Sequence, residues 1–98
     1  MAQVIEMLRF AVEASEREAW SEVEHRVWTG FLKTVPGFLH KELWVDDAEP
    51  DTVTVVIWWE SREHWSAVTA EQCDEVDRAM GEWLRPCTLR TWCVARVD

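Results

Sequence analysis

Five consecutive residues, Val55-Val56-Ile57-Trp58-Trp59, are apolar, inside a β-branched and aromatic stretch from Thr52 to Glu60 that reads as a strand. Side chains alternate across a strand, so this run makes both of its faces apolar. A sheet covered by helices on one face only should alternate apolar and polar positions instead. Gln3 to Val12 (QVIEMLRFAV) is nearly the same, with Val4, Leu8 and Phe10 on one face and Ile5 and Met7 on the other. Any fold of this chain must therefore cover both faces of a sheet.

The remaining elements follow from caps, breakers and periodicity. Ser15 with Glu18 three residues later makes an S-x-x-E capping box. Trp20, Val23, Val27 and Phe31, with Trp28 alongside, then repeat at helical spacing. Pro36-Gly37 stops this helix and turns the chain. Phe38 to Val45 is a second strand, with His40 in phase with Phe38, Glu42 and Trp44. The short polar connection Asp46 to Asp51 predicts a hairpin into the third strand. Ser61 caps a second helical region, and Thr69 with Gln72 forms another capping box, so this region is one broken helix or two. Pro86 ends it, and Thr88 to Val97 is the last strand. The expected fold is α+β: one domain over residues 1–98, ferredoxin-like βαββαβ, with a four-stranded antiparallel sheet.

Two helices cover one face of such a sheet, and the chain has no spare element for the other. A second copy of the same sheet is the simplest cover, giving a homodimer joined through sheet faces. A different partner protein is the alternative.

The charge balance excludes several functions. Ten basic residues lie scattered among nineteen acidic ones, for a net charge of -9. A phosphate-binding surface needs clustered Lys and Arg, so nucleic acid is not an expected partner, nor is an anionic membrane. The start, MAQVIEMLRF, lacks the basic and apolar segments of a signal peptide, and no apolar run is long enough to span a bilayer. Cys73, Cys87 and Cys93 form no CxxC, which fits reduced packing thiols in a cytoplasmic protein. Only Gly30, Gly37 and Gly81 are glycines, so no phosphate loop is present, and no cofactor is expected.

Several segments together resemble a known family. They are Ile5-Glu6-Met7-Leu8-Arg9-Phe10, Trp28-Thr29, Pro36-Gly37-Phe38, Lys41-Glu42-Leu43-Trp44, and Trp59-Glu60-Ser61-Arg62-Glu63-His64-Trp65. The pattern resembles an uncharacterised, mainly cyanobacterial group of short proteins in the dimeric α/β-barrel superfamily. More broadly, the chain is similar to antibiotic-biosynthesis-monooxygenase domains. The resemblance implies sheets packed face to face in a dimer and a ligand cleft between sheet and helices in each subunit. It also implies a range of activities, from cofactor-independent quinone-forming monooxygenases to haem degradation. Haem-degrading relatives use a strand-one Asn, a Trp and a helix-two His. This chain has no Asn, and the region around Asp77 and Arg78 has no His, so that mechanism is not expected.

Within such a cleft, Glu24 is the first catalytic candidate. It falls at the centre of the helical stripe of Trp20, Val27, Trp28 and Phe31, where burial would tune a carboxyl toward general-base work. The alternative is a Glu held in a structural hydrogen bond. His64, beside Trp65 at the start of the second helical region, is the second catalytic candidate. No histidine spacing supports a metal site. Glu6 interrupts an apolar strand and can share the cleft with Glu24 or pair with Arg90 or Arg96. Eight tryptophans in 98 residues supply either core or an aromatic wall, and Trp20, Trp28, Trp59 and Trp65 are the candidates for ligand contact. The expected function is binding of a small, flat, apolar or aromatic molecule, with cofactor-independent monooxygenase chemistry. The alternative is a non-catalytic dimer that binds a ligand or protein. An open cleft reached by Glu24 would favour the enzyme, and an ion-paired Glu24 or a cleft filled by indoles would favour its rival.

Overall fold

The structure, a computed structural model, describes residues 2–98. Strand β1 (Val4–Ala11) leads through a 3₁₀ turn (Ala14–Glu16) into α1 (Arg17–Glu24), a π-helical turn (His25–Thr29) and α2 (Gly30–Leu32). Strands β2 (Phe38–Trp44) and β3 (Thr52–Trp59) follow as a hairpin. Helices α3 (Arg62–Ala67) and α4 (Ala70–Met80), a 3₁₀ turn (Gly81–Trp83) and β4 (Cys87–Cys93) complete the chain. The sheet order is β2-β3-β1-β4, and every neighbouring pair is antiparallel. This is the expected ferredoxin-like βαββαβ fold.

Register divides the strand residues between the two faces. Val4, Glu6, Leu8 and Phe10 of β1 stand beside Trp59, Ile57, Val55 and Val53 of β3. This inner face carries the core, where Val4, Val53, Val55, Ile57 and Trp59 are buried with Trp20, Leu32 and Met80 from the helical layer. Ile5, Met7 and Arg9 face outward beside Trp58, Val56 and Thr54. The outer face is continued by His40, Glu42 and Trp44 of β2 and by Thr88, Arg90 and Trp92 of β4.

The helical layer departs from the simplest reading at its start. The Ser15 and Glu18 capping box does not form. Asp51, at the end of the hairpin connection, accepts a hydrogen bond from the Ala14 backbone N–H at 2.9 Å, and Ser15 is left inside the 3₁₀ turn. The second helical region is two helices. Ser61 caps α3 by accepting from the His64 N–H, Val68 is extended (φ -74°, ψ 117°), and Thr69 with Gln72 makes the full capping box of α4. Strand β4 ends at Cys93, short of Val97, because its neighbour β1 begins at Val4, opposite Cys93. Among the described residues no helix is long and apolar enough to cross a membrane.

Candidate functional site: an open cavity walled by indoles beside a buried ion pair

Between the inner sheet face and the helical layer lies an open cavity of about 450 Å³. Its walls are mainly apolar: Leu8, Val55, Ile57 and Leu89 from the sheet, with the indoles of Trp28, Trp59 and Trp65. Glu6, Glu24, Asp77, Lys41 and Arg85 are its charged residues.

Glu24 and Lys41 form a buried ion pair. Lys41 Nζ donates to Glu24 Oε2 at 2.5 Å and to Thr29 Oγ1 at 2.8 Å. The two charged side chains are only 5% and 3% exposed. Burial pulls the Lys41 ammonium below the ordinary lysine range, and the Glu24 carboxylate beside it resists. Two local irregularities bring these groups together. Glu24 and Thr29 are five residues apart, a spacing that points about 140° apart on an α-helix. The π-helical turn between them, with its i→i+5 bonding, puts both on one side. Across the gap, a register shift between Phe38 and His40 lets Phe38 lie opposite Trp59 and His40 opposite Trp58. Beyond this bulge Lys41 turns inward, while His40, Glu42 and Trp44 turn outward.

Glu6 projects from the centre of β1 into the cavity. Trp59 Nε1–H donates to Glu6 Oε1 at 3.1 Å. Burial raises the Glu6 carboxyl above its ordinary range, and hydrogen bonds from the Trp59 and Trp65 side chains oppose the shift. Among the described residues no arginine pairs with it. On α4, Asp77 is also raised, first by burial, against a hydrogen bond from the Trp28 side chain. Cys73, one helical turn before Asp77, has its thiol pushed up by burial and then by nearby carboxylates, Glu6 among them. A thiol held neutral in this way is a poor nucleophile.

Two candidates lie elsewhere. Trp20 is fully buried in the core against Phe10, with ring centroids 5.0 Å apart, and does not line the cavity. His64 is turned toward its own helix start, where Nδ1 shares a hydrogen bond with Ser61 Oγ at 2.7 Å. Its ring packs so closely on Gly37 that a Cβ there would lie 2.3 Å from Cγ. His64 thus fastens α3 to the turn before β2 and does not reach the cavity. Conversely, Lys41 and Asp77 line the cavity without having been singled out. Lys41 was hidden by the bulge, and Asp77 carries no motif beyond its place one helical turn after Cys73. Among the described residues no group of three or more His, Cys, Asp or Glu is placed to hold a metal ion.

The antibiotic biosynthesis monooxygenase family model matches residues 3–72, more than half of the chain. The chain belongs to the antibiotic biosynthesis monooxygenase family. Proteins with solved structures share its fold at low identity. A monooxygenase of Streptomyces coelicolor, from the gene ActVA-Orf6 and bound to nanaomycin D, superposes with a TM-score of 0.78 at 14% identity, over 99% of this chain and 91% of that one. SnoaB, a cofactor-independent oxygenase of Streptomyces nogalater, gives 0.72 at 16% identity, over 100% and 97%. A conserved protein of Methanosarcina mazei gives 0.70 at 11%, over 94% and 92%. No curated protein sequence matches this family member. Likeness at these identities fixes the fold of an antibiotic biosynthesis monooxygenase domain, and the chemistry must be argued from the cavity.

Proposed function

We propose that this protein binds a small, flat, electron-rich aromatic molecule in the cavity and oxidises it with dioxygen, without a cofactor. The observation that carries the reading is the open, indole-walled cavity with the Glu6 carboxyl inside it, raised by burial. A ring of naphthol size fits between Trp28, Trp59 and Trp65 by stacking and edge contacts. Glu6 accepts the phenolic proton, which its raised affinity for protons favours. The electron-rich phenolate then reduces dioxygen. One oxygen atom enters the ring as the new quinone carbonyl and the other leaves as water, so that naphthol and O₂ become naphthoquinone and water. The apolar walls keep bulk water from the reacting ring. Glu24, the proton acceptor expected from the sequence, is held by Lys41. Its other oxygen, Oε1, is buried without a hydrogen-bond partner.

The ion pair at Glu24 also favours the rival reading, a binding protein without chemistry. Oxygen-electrode assays with naphthols and hydroquinones separate the two. Uptake of O₂ that falls by at least about a hundredfold in Glu6→Gln supports the enzyme, the scale expected of a general base. Ligand binding without O₂ uptake supports the rival. The same reading includes a homodimer joined through the outer sheet face. It places the protein in the cytoplasm, supported by three free cysteines.

A further inference from the structure

Two carboxyl groups in the cavity accept hydrogen bonds from indole N–H groups but have no cation partner. Glu6 and Asp77 belong to none of the ion pairs among the described residues. Both cations in the wall are already engaged. Lys41 binds Glu24 and Thr29, and Arg85 binds Glu16 and two backbone carbonyls. A carboxylate held in an apolar cavity without a countercharge is costly, and a cationic ligand removes that cost. We infer that the cavity selects, among flat aromatic molecules, those carrying a protonated amine. The ammonium lies at Glu6 and Asp77.

The chemistry favours this class over its neighbours. An ammonium offers up to three donors and a full charge to carboxylates in a water-poor site, where charge-assisted hydrogen bonds are strongest. A phenol offers one donor and no charge. A carboxylated aromatic brings a further acceptor beside Glu6 and Asp77 and must overcome like-charge repulsion.

This inference rests on the aromatic-cavity reading above, and one titration tests both. 1-Naphthylmethylammonium, 1-naphthol and 1-naphthoate share one ring and differ in charge. They are titrated by calorimetry at pH 7 in physiological salt, where the Debye length of about 8 Å limits attraction by the general negative charge. The ammonium should bind at least about tenfold tighter than the naphthol, and the naphthoate weakest, as expected for a charged hydrogen bond in a shielded site. Glu6→Gln and Asp77→Asn, each checked for native circular dichroism, should each weaken the ammonium by about tenfold, and Asp77→Asn should change naphthol by no more than about twofold. Naphthol binding as tightly as the ammonium overturns the inference and leaves the aromatic cavity standing. An ammonium advantage that survives both substitutions also overturns it, because the charge would then act from elsewhere. If none of the three binds, the inference and the aromatic-cavity reading fall together.

Discussion

Glu24 and Lys41 illustrate how a buried charge pair constrains its surroundings. Two ions removed from water lose hydration that their mutual attraction only partly restores, so breaking such a pair is worse than replacing it. Lys41→Met alone should therefore cost about 3–5 kcal/mol, leaving Glu24 buried and uncompensated. Glu24→Leu with Lys41→Met should recover most of that loss, and urea denaturation of the three proteins measures it. A double variant as unstable as the sum of its parts would show that the groups do not act as a pair. Glu6 makes a different prediction, one of pH. Its carboxyl is raised in the folded state from an ordinary value of 4.5, so the folded protein binds this proton more tightly than the unfolded chain. Stability tied to it is fully present below the ordinary range and is lost as pH rises through the folded value. Gln keeps an acceptor for the Trp59 N–H but never ionises. Glu6→Gln should thus match wild type near pH 4 and exceed it in stability at pH 8. A gap of equal size at both values would remove ionisation as its cause. Glu6 was legible in the sequence because a charge in an apolar strand is conspicuous. Asp77, on a largely polar helix, was not.

Among the elements, the strands and caps were readable because their signals are local: alternation, β-branching, Ser61, and Thr69 with Gln72. The first capping box failed because a distant residue, Asp51, took over the task. Periodicity also failed where one residue is inserted into a regular element. The π-helical turn and the bulge after Phe38 each do this, and neither leaves a mark in a 3.6- or 2-residue repeat. Both bear on the Glu24–Lys41 pair, so the part of the site that depends on them was the part hidden. His64 was misplaced for a related reason: its packing against Gly37 is a contact between elements. Gly37 adopts φ 86° and Gly81 φ 58°, but only at Gly37 would a Cβ meet another side chain, His64. Gly81→Ala should cost about 1–3 kcal/mol, the penalty of its strained positive-φ backbone (φ 58°, ψ -129°) alone. Gly37→Ala should cost clearly more, since it must also expel the imidazole from its bond with Ser61. Adding His64→Ala to Gly37→Ala should remove the excess. Thermal melts showing equal losses at the two glycines would deny His64 its fastening role.

At the scale of the molecule, one helical layer on one sheet makes a slab, with extents of 40 × 32 × 18 Å. Its radius of gyration is 13.7 Å, against about 12.6 Å for a compact chain of this length. Its accessible surface is 6409 Å², where a compact monomer of this mass exposes roughly 5,800 Å². The excess has a place to go. The outer sheet face presents Ile5, Met7 and Trp58 half-buried at its centre, with Trp44 and Trp92 at 45% and 40% exposure toward its edges. A second sheet laid on this face would bury those rings and thicken the slab toward a globule, as sheet-on-sheet packing requires. Wild type should therefore run as a dimer in light scattering at micromolar concentration. Met7→Glu with Trp58→Glu should run as a monomer, because two carboxylates per copy would face their own images across the two-fold axis. Both positions lie on the face opposite the cavity. If the monomeric variant still binds an aromatic ligand with wild-type affinity, each subunit holds a complete site and the dimer serves stability alone. If binding is lost while the fold persists, the second copy shapes the cavity from beneath the sheet. A wild-type protein that is monomeric at micromolar concentration would refute the sheet-to-sheet dimer itself.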